Sequence, residues 1–296
     1  MRVLRSTFQP ASWVMPRSVS AALAELLFRT PPRQARSRRE REILAAARFR
    51  HVRVGPIRLA TWLWGSGPLV LLVHGWGGHA GRLASFVGPL TEAGFSVVAF
   101  DAPGHGDSSG TRSSLPEFVL AARAVAQAYG GVAGLVGHSI GAAACTLALR
   151  DGVVARRVVL LAPAVDPEQY SGRFASLFGI PASVRESMKK RFERRYRVCW
   201  DALCLSRCAP GVSAPALIFH DGRDSKVPLR DGKAIARAWP GAQLIVTSGL
   251  GHHRIVRDPE VVRRAVGFLR DGPAAARAPM APAGPAHGKP IALKAS

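Results

Sequence analysis

Acidic residues, cysteines and long hydrophobic runs are scarce in this chain, and each scarcity excludes something. Four cysteines in 296 residues are too few for a disulfide framework. Cys199, Cys204 and Cys208 have spacings that fit no common zinc pattern, and Cys145 reads as a small core residue. The longest uncharged run, 26 residues between Arg123 and Arg150, is divided by Gly130-Gly131 and holds Gly137-His138-Ser139-Ile140-Gly141 at its middle. That pattern describes a strand, a tight turn and a helix rather than a membrane span. Near the start, Pro10, Pro16 and Arg17 interrupt any secretory leader. The chain is therefore expected to be soluble and cytoplasmic. No internal repeat is evident.

The shortage of acids leaves 19 Asp+Glu against 41 Lys+Arg, a net charge of +22. Arginine supplies 35 of the cations, as a GC-rich coding bias would produce. The excess is uneven, since residues 1–53 carry 12 basic and 3 acidic side chains and residues 54–164 only 7 and 5. Net charge bears on solubility and non-specific binding more than on a specific activity. No specific nucleic-acid partner is expected, only weak, salt-sensitive association of the N-terminal segment with anionic surfaces. The 48% apolar and 20% charged content excludes wholesale disorder. A chain of this length buries roughly three quarters of its unfolded surface, so it needs no metal or disulfide staple.

Residues 1–50 read as a basic, partly helical arm, with an apolar stripe at Val19, Leu23 and Leu26-Leu27 and a second helix over about 40–49. The run Arg29–Arg41 reads as a solvated basic face. Residues 271–296 are Pro/Ala/Gly-rich and are expected to be disordered. Between them, two strands are expected over 51–64. Short apolar runs follow at Leu69–Val73, Ser96–Phe100, Val132–Val136, Val158–Leu161, Ala216–Phe219 and Leu244–Val246. Helical stretches near 80–93, 115–129, 140–150, 230–239 and 258–270 separate them. This alternation predicts an α/β fold with a mostly parallel sheet of about eight strands, covered on both faces. Only 165–214 breaks it, as a polar helical insert.

Gly137-His138-Ser139-Ile140-Gly141 fits G-x-S-x-G between an apolar strand and an Ala-rich helix, the context a nucleophile elbow requires. The glycines leave room for the backbone to double back, and the helix N-terminus favours developing negative charge. Two further strand ends carry His74-Gly75-Trp76-Gly77-Gly78 and Asp221-Gly222-Arg223-Asp224, and Gly251-His252-His253 follows a third. Ligands of open α/β sheets bind at such ends. The order Ser139, Asp224, His252 is Ser…Asp…His.

With Phe100-Asp101-Ala102-Pro103-Gly104-His105-Gly106-Asp107-Ser108 added, residues 51–270 resemble an α/β-hydrolase-fold serine hydrolase. The resemblance implies ester-type hydrolysis through an acyl-enzyme. Ser139 would be the nucleophile, His252 the base and Asp224 its orienting acid, with the Trp76 and Ile140 backbone N–H groups as the oxyanion hole. It implies no cofactor. Serine at 139 excludes the aspartate-nucleophile members. The same triad could serve acyl transfer or cleavage of a carbon–carbon bond, and a non-enzymatic basic binding protein on this scaffold is the other rival. His253 competes with His252 for the base, and Asp221 and Asp166 with Asp224 for the acid. His74, His138, Asp101, His105 and Ser108 read as structural groups that tie down their own turns.

The insert stands where the family carries its cap. Ser183 and Glu186 read as a capping box for a helix over about 184–197, with Val184, Met188, Phe192 and Tyr196 along one stripe. The stripe either packs onto the main domain or also roofs the substrate pocket, with Phe174, Phe178, Met188 and Phe192 as candidate pocket residues. Such a roof implies a small to medium apolar acyl substrate.

Overall fold

Five-residue apolar segments build the centre of the molecule. The computed structural model describes residues 15–272, so expectations for residues 1–14 and for the tail from 273 lie outside the described residues. Helices α1 (Arg17–Phe28) and α2 (Arg38–Ala45) precede strands β1 (Arg48–Val54) and β2 (Ile57–Trp64). Next come β3 (Leu69–Val73), a 3₁₀ turn over Ala80–Phe86, α3 (Val87–Glu92), β4 (Ser96–Phe100) and α4 (Leu115–Ala128). Then follow β5 (Gly134–His138), α5 (Ile140–Arg150) and β6 (Arg157–Leu161). The insert contains α6 (Pro167–Phe178), α7 (Ala182–Tyr196) and α8 (Leu205–Cys208). The chain closes with β7 (Ala216–Asp221), α9 (Leu229–Ala238), β8 (Gln243–Thr247), α10 (Gly251–Arg254) and α11 (Pro259–Asp271).

The eight strands form one sheet in the order β1-β2-β4-β3-β5-β6-β7-β8. β2 runs antiparallel to β1 and β4, and every pairing from β4 to β8 is parallel. Alternate residues of each strand feed different cores. Leu71, Val73, Val98 and Phe100 pack with Phe118 and Leu147 of α4 and α5. Val70, Leu72, Val97 and Ala99 pack with Phe86, Leu90, Val261 and Phe268 on the opposite face. A strand buried on both sides needs no polar alternation, which is why these strands read as continuous apolar runs.

The arm departs from its expected form. α1 turns Ser20, Ala21, Ala24 and Glu25 inward along α7, and leaves Val19 and Leu26 47% and 37% exposed. Small side chains allow the close approach, and the carboxylate of Glu25, 3% exposed, meets Arg195 at 2.5 Å and Arg191 at 3.2 Å. Phe28 then fits among Phe174, Phe192 and Trp200, with ring centroids 5.2, 6.4 and 6.2 Å away. The basic run is a solvated face only in part: Arg33, Arg38, Arg39 and Arg41 are exposed, but Arg29 is buried and pairs with Glu117 at 3.3 Å, and Arg36 bridges Asp101 and Asp107. α2 begins at a capping box of Ser37 and Glu40, and its Ile43 carbonyl accepts the Trp64 indole N–H at 3.0 Å.

The capping box expected at Ser183 is corrected as well. α7 begins at Pro181, whose carbonyl accepts from Val184 and Arg185, so Ser183 already lies inside the helix. Glu25→Ala should unlatch α1 from α7. Breaking a buried pair costs more than breaking a surface one, but both arginines are partly exposed and screened, so a loss of about 1–2 kcal/mol is expected. Thermal unfolding should then fall by roughly 2–8 °C. An unchanged midpoint would mean that the ion pairs do not hold the arm.

Candidate active site

The parallel strands end together, and the segments that follow their C-terminal edge carry the candidate triad and oxyanion residues. β5 begins two residues later than its apolar run suggests, because Val70 of β3 pairs with Gly134. It therefore ends at His138, directly against Ser139. Ser139 has φ 56° and ψ −119°, a left-handed backbone that a side chain rarely adopts. The turn is locked by its glycines. A Cβ on Gly137 would lie 2.6 Å from the Gly141 carbonyl oxygen, and one on Gly141 would overlap the carbonyls of Val73 and His74. The Ser139 N–H donates to the Leu161 carbonyl at 2.9 Å, which ties the turn to β6.

From the far side of the sheet, His252 on α10 places Nδ1 2.8 Å from Oδ2 of Asp224. The other carboxylate oxygen accepts the backbone N–H groups of Lys226 and Val227 at 2.7 and 2.9 Å. Burial alone would raise the Asp224 pKa, but the His252 hydrogen bond and these amides outweigh it and hold it below the ordinary carboxylate value. That share of stability is complete above pH 3.8, the ordinary value, and is lost as pH falls through the lower folded value.

The rival acids have other tasks. Asp221 accepts from the Thr247 hydroxyl at 2.8 Å and from the Leu250 and Arg223 amides at 2.9 Å each. It thereby fixes the loop that presents His252, a role the sequence does not announce. Asp166 caps α6 by accepting from the Glu168 amide at 2.9 Å. His138 also holds His252 in place, with Nε2 2.9 Å from the His252 carbonyl and the two rings 4.7 Å apart.

Burial keeps the neighbouring histidines neutral. It lowers His138 to about 3 and His105 to about 4, carries His74 well below its ordinary value, and lowers His253. His74 accepts the Ala102 amide at 3.0 Å, and His105 accepts the Gly77 amide at 3.0 Å. A Cβ on Gly75 would come 3.3 Å from Cβ of Ser139, so the turn bearing Trp76 lies against the serine. The Trp76 ring stacks on Phe118 at 6.5 Å. Ile140 is the first residue of α5.

The candidate pocket residues gather in the cap. Met188 and Phe192 are 1% and 3% exposed. Met188 lies among Ala21, Ala24, Ala175 and Val184. Phe192 meets Trp200 and Tyr196 at 4.7 and 4.6 Å. Phe174 and Phe178 pack at 4.9 Å beside the same cluster. The stripe on α7 thus meets α1 of the arm, a partner the sequence reading did not supply. Among the described residues, no cluster of His, Cys, Asp or Glu could hold a metal ion, and no helix is long and apolar enough to cross a membrane.

A family model for serine aminopeptidase, S33, matches residues 67–200, which include Ser139 but stop short of Asp224 and His252. Over 98 residues the chain is 42% identical to a pimeloyl-[acyl-carrier protein] methyl ester esterase of Methylococcus capsulatus, covering 32% of this chain and 37% of that protein. Est1E from Butyrivibrio proteoclasticus, solved with ferulic acid, superposes with a TM-score of 0.58 at 18% identity, over 75% of this chain and 96% of that one. The chain has the α/β-hydrolase fold. A membrane phospholipase A covers 93% of this chain and 97% of its own chain, with a TM-score of 0.60 and 18% identity. The chain spans only 37%, 59% and 44% of the lengths of the curated relatives it matches.

Two substitutions test this geometry. Gly141→Ala should abolish folding or activity, because the carbonyls it meets are backbone and have nowhere to move. Phe192→Ala should cost about 3–5 kcal/mol of stability, as large-to-small changes in a packed core do. Full parental stability of the Phe192 variant in denaturant would show that the cluster is loosely packed.

Proposed function

We propose that this protein hydrolyses carboxylic esters through an acyl-enzyme on a Ser139–His252–Asp224 triad. The observation that carries the reading is the 2.8 Å bond from Asp224 to Nδ1 of His252. It leaves Nε2 as the nitrogen available to take the serine proton. Ser139, on its strained turn, attacks the carbonyl while His252 removes that proton. Asp224, ionised at neutral pH, holds the tautomer and stabilises the imidazolium. The N–H groups of Ile140 and Trp76 receive the oxyanion, each worth roughly 3 kcal/mol by analogy with other such sites. His252 then protonates the leaving alcohol, and water attacks the acyl-enzyme by the same route. No cofactor enters the scheme.

The names of the matched esterases support an ester substrate. We assign it a small to medium apolar acyl group, with Phe174 and Phe178, at the half-buried edge of the cap cluster, nearest its path. Met188 and Phe192 support those rings from within. On p-nitrophenyl esters, kcat/KM should rise by the burial of each methylene, roughly 0.8 kcal/mol apiece, and peak at about four to eight acyl carbons before overpacking reverses it. A steady rise to long chains would indicate an open groove instead.

Ser139→Ala should abolish labelling by a fluorophosphonate and lower kcat by about 10⁵–10⁶. His252→Ala should lose a comparable amount and His253→Ala far less. Equal losses at the two histidines would leave the base unassigned, and full turnover without Ser139 would sink the mechanism.

A further inference from the structure

We propose that residues 29–37 of the arm form a strap that fixes the oxyanion turn, with Arg36 as its positioning residue. The inference rests on the hydrolase reading above and adds to it a residue far from the triad in sequence.

The strap touches the site's scaffolding along its whole length. The Arg29 carbonyl accepts the Ser113 N–H at 2.7 Å, and Arg33 donates to the Gly110 carbonyl at 3.2 Å. Pro32 lies on Gly77, where a Cβ would come 2.9 Å from Cγ of the proline. Gly77 has φ +69°, so glycine is needed there for its backbone as well as its size. Arg36 donates through Nη2 to Asp101 and through Nη1 to Asp107, both at 2.6 Å. Its guanidinium sits 5.1 Å over the Trp62 ring.

Asp101 is the junction. Fully buried, it accepts the Ala80 N–H on Oδ1 and the Asp107 N–H on Oδ2, both at 2.7 Å. One carboxylate therefore joins the loop after β3, the loop after β4 and the arm. The oxyanion turn hangs from the β4 loop at two points: Gly77 through His105 at 3.0 Å, and Ala80 through Asp101. Trp76 adjoins the first of these. Burial pushes Asp101 up to about 6, and Arg36 is the cation that opposes this rise. Without the guanidinium, the carboxylate would be a poorer acceptor for the Ala80 amide. The strap would lose its charged anchor, and the turn one of its supports.

The test is kcat per active site, with sites counted by fluorophosphonate titration so that unfolded chains drop out. Arg36→Ala should lower this kcat by about tenfold to a hundredfold, the scale of a misplaced catalytic group, with KM on a short ester changed by no more than about threefold. Arg36→Lys should recover part of the loss. Asp107→Asn, at a half-exposed position that folding tolerates, should show a smaller loss of the same kind. If Arg36→Ala does not fold, the lysine and Asp107 variants carry the test, with lowered per-site kcat at an unchanged thermal midpoint. A parent that labels and hydrolyses, with variants whose per-site kcat stays within about twofold of it, would overturn the strap alone. A parent that neither labels nor hydrolyses would sink the hydrolase reading and the strap with it.

Discussion

Everything at the strand ends depends on how closely the start of α5 approaches the end of β3. Gly141 sits against the carbonyls of Val73 and His74 with no room for a Cβ. That approach is possible because β3 and β5 are neighbours, although β4 intervenes between them in sequence. The order of the strands reverses at this pair, and open α/β sheets bind ligands at such a reversal. Ser139 and the turn from Gly75 to Gly78 lie against each other there. The left-handed backbone of Ser139 is the cost of that position, and the packing of both glycines maintains it.

At these strand ends several buried polar groups are committed to loops. His74 holds Ala102, His105 holds Gly77, Asp221 holds Leu250 and Arg223, and His138 holds the carbonyl of His252. A histidine that accepts a backbone N–H is fixed in one tautomer, and burial removes its charge. His252 differs because its Nδ1 faces a carboxylate rather than a peptide group. His252 thus differs from His74, His105 and His138 by partner, not by residue type.

The sheet was legible in the sequence because its buried parallel strands are short apolar runs bounded by turn residues, too short for helices. β3 and β4 fall on the residues that their apolar runs mark. β5 slips by two because glycines at 134 and 137 carry no apolar signal, although the parallel register uses both. The choice of Asp224 and His252 over their neighbours came from family spacing, and the structure places the two side chains 2.8 Å apart. The arm was illegible for a physical reason. α1 buries its small and acidic residues most deeply, packs Leu23 and Leu27 only partly and exposes Val19 and Leu26, so a hydrophobicity pattern misses the centre of the contact. Nothing local to residues 17–45 reveals that a carboxylate at 25 has two arginines waiting some 170 residues later, where Arg191 and Arg195 stand on α7.

The scarcity of acids explains the form these junctions take. With 41 cationic side chains and 19 carboxylates, an acid placed between two elements is shared by several bases. Glu25 takes Arg29 of its own helix and Arg191 and Arg195 of α7; Glu168 of α6 takes Arg185 and Lys189 of α7. Burying a carboxylate is expensive unless its lone pairs are filled, and several guanidinium donors fill them. Each shared acid also defines a position, because the planar forks can meet it in few ways. Asp101 differs in that only one of its donors is a cation, the rest being backbone amides of the loops it joins. An excess of arginine that would otherwise be mere surface charge therefore becomes the means by which the arm is docked, once on α7 and once beside the turn from Gly75 to Gly78.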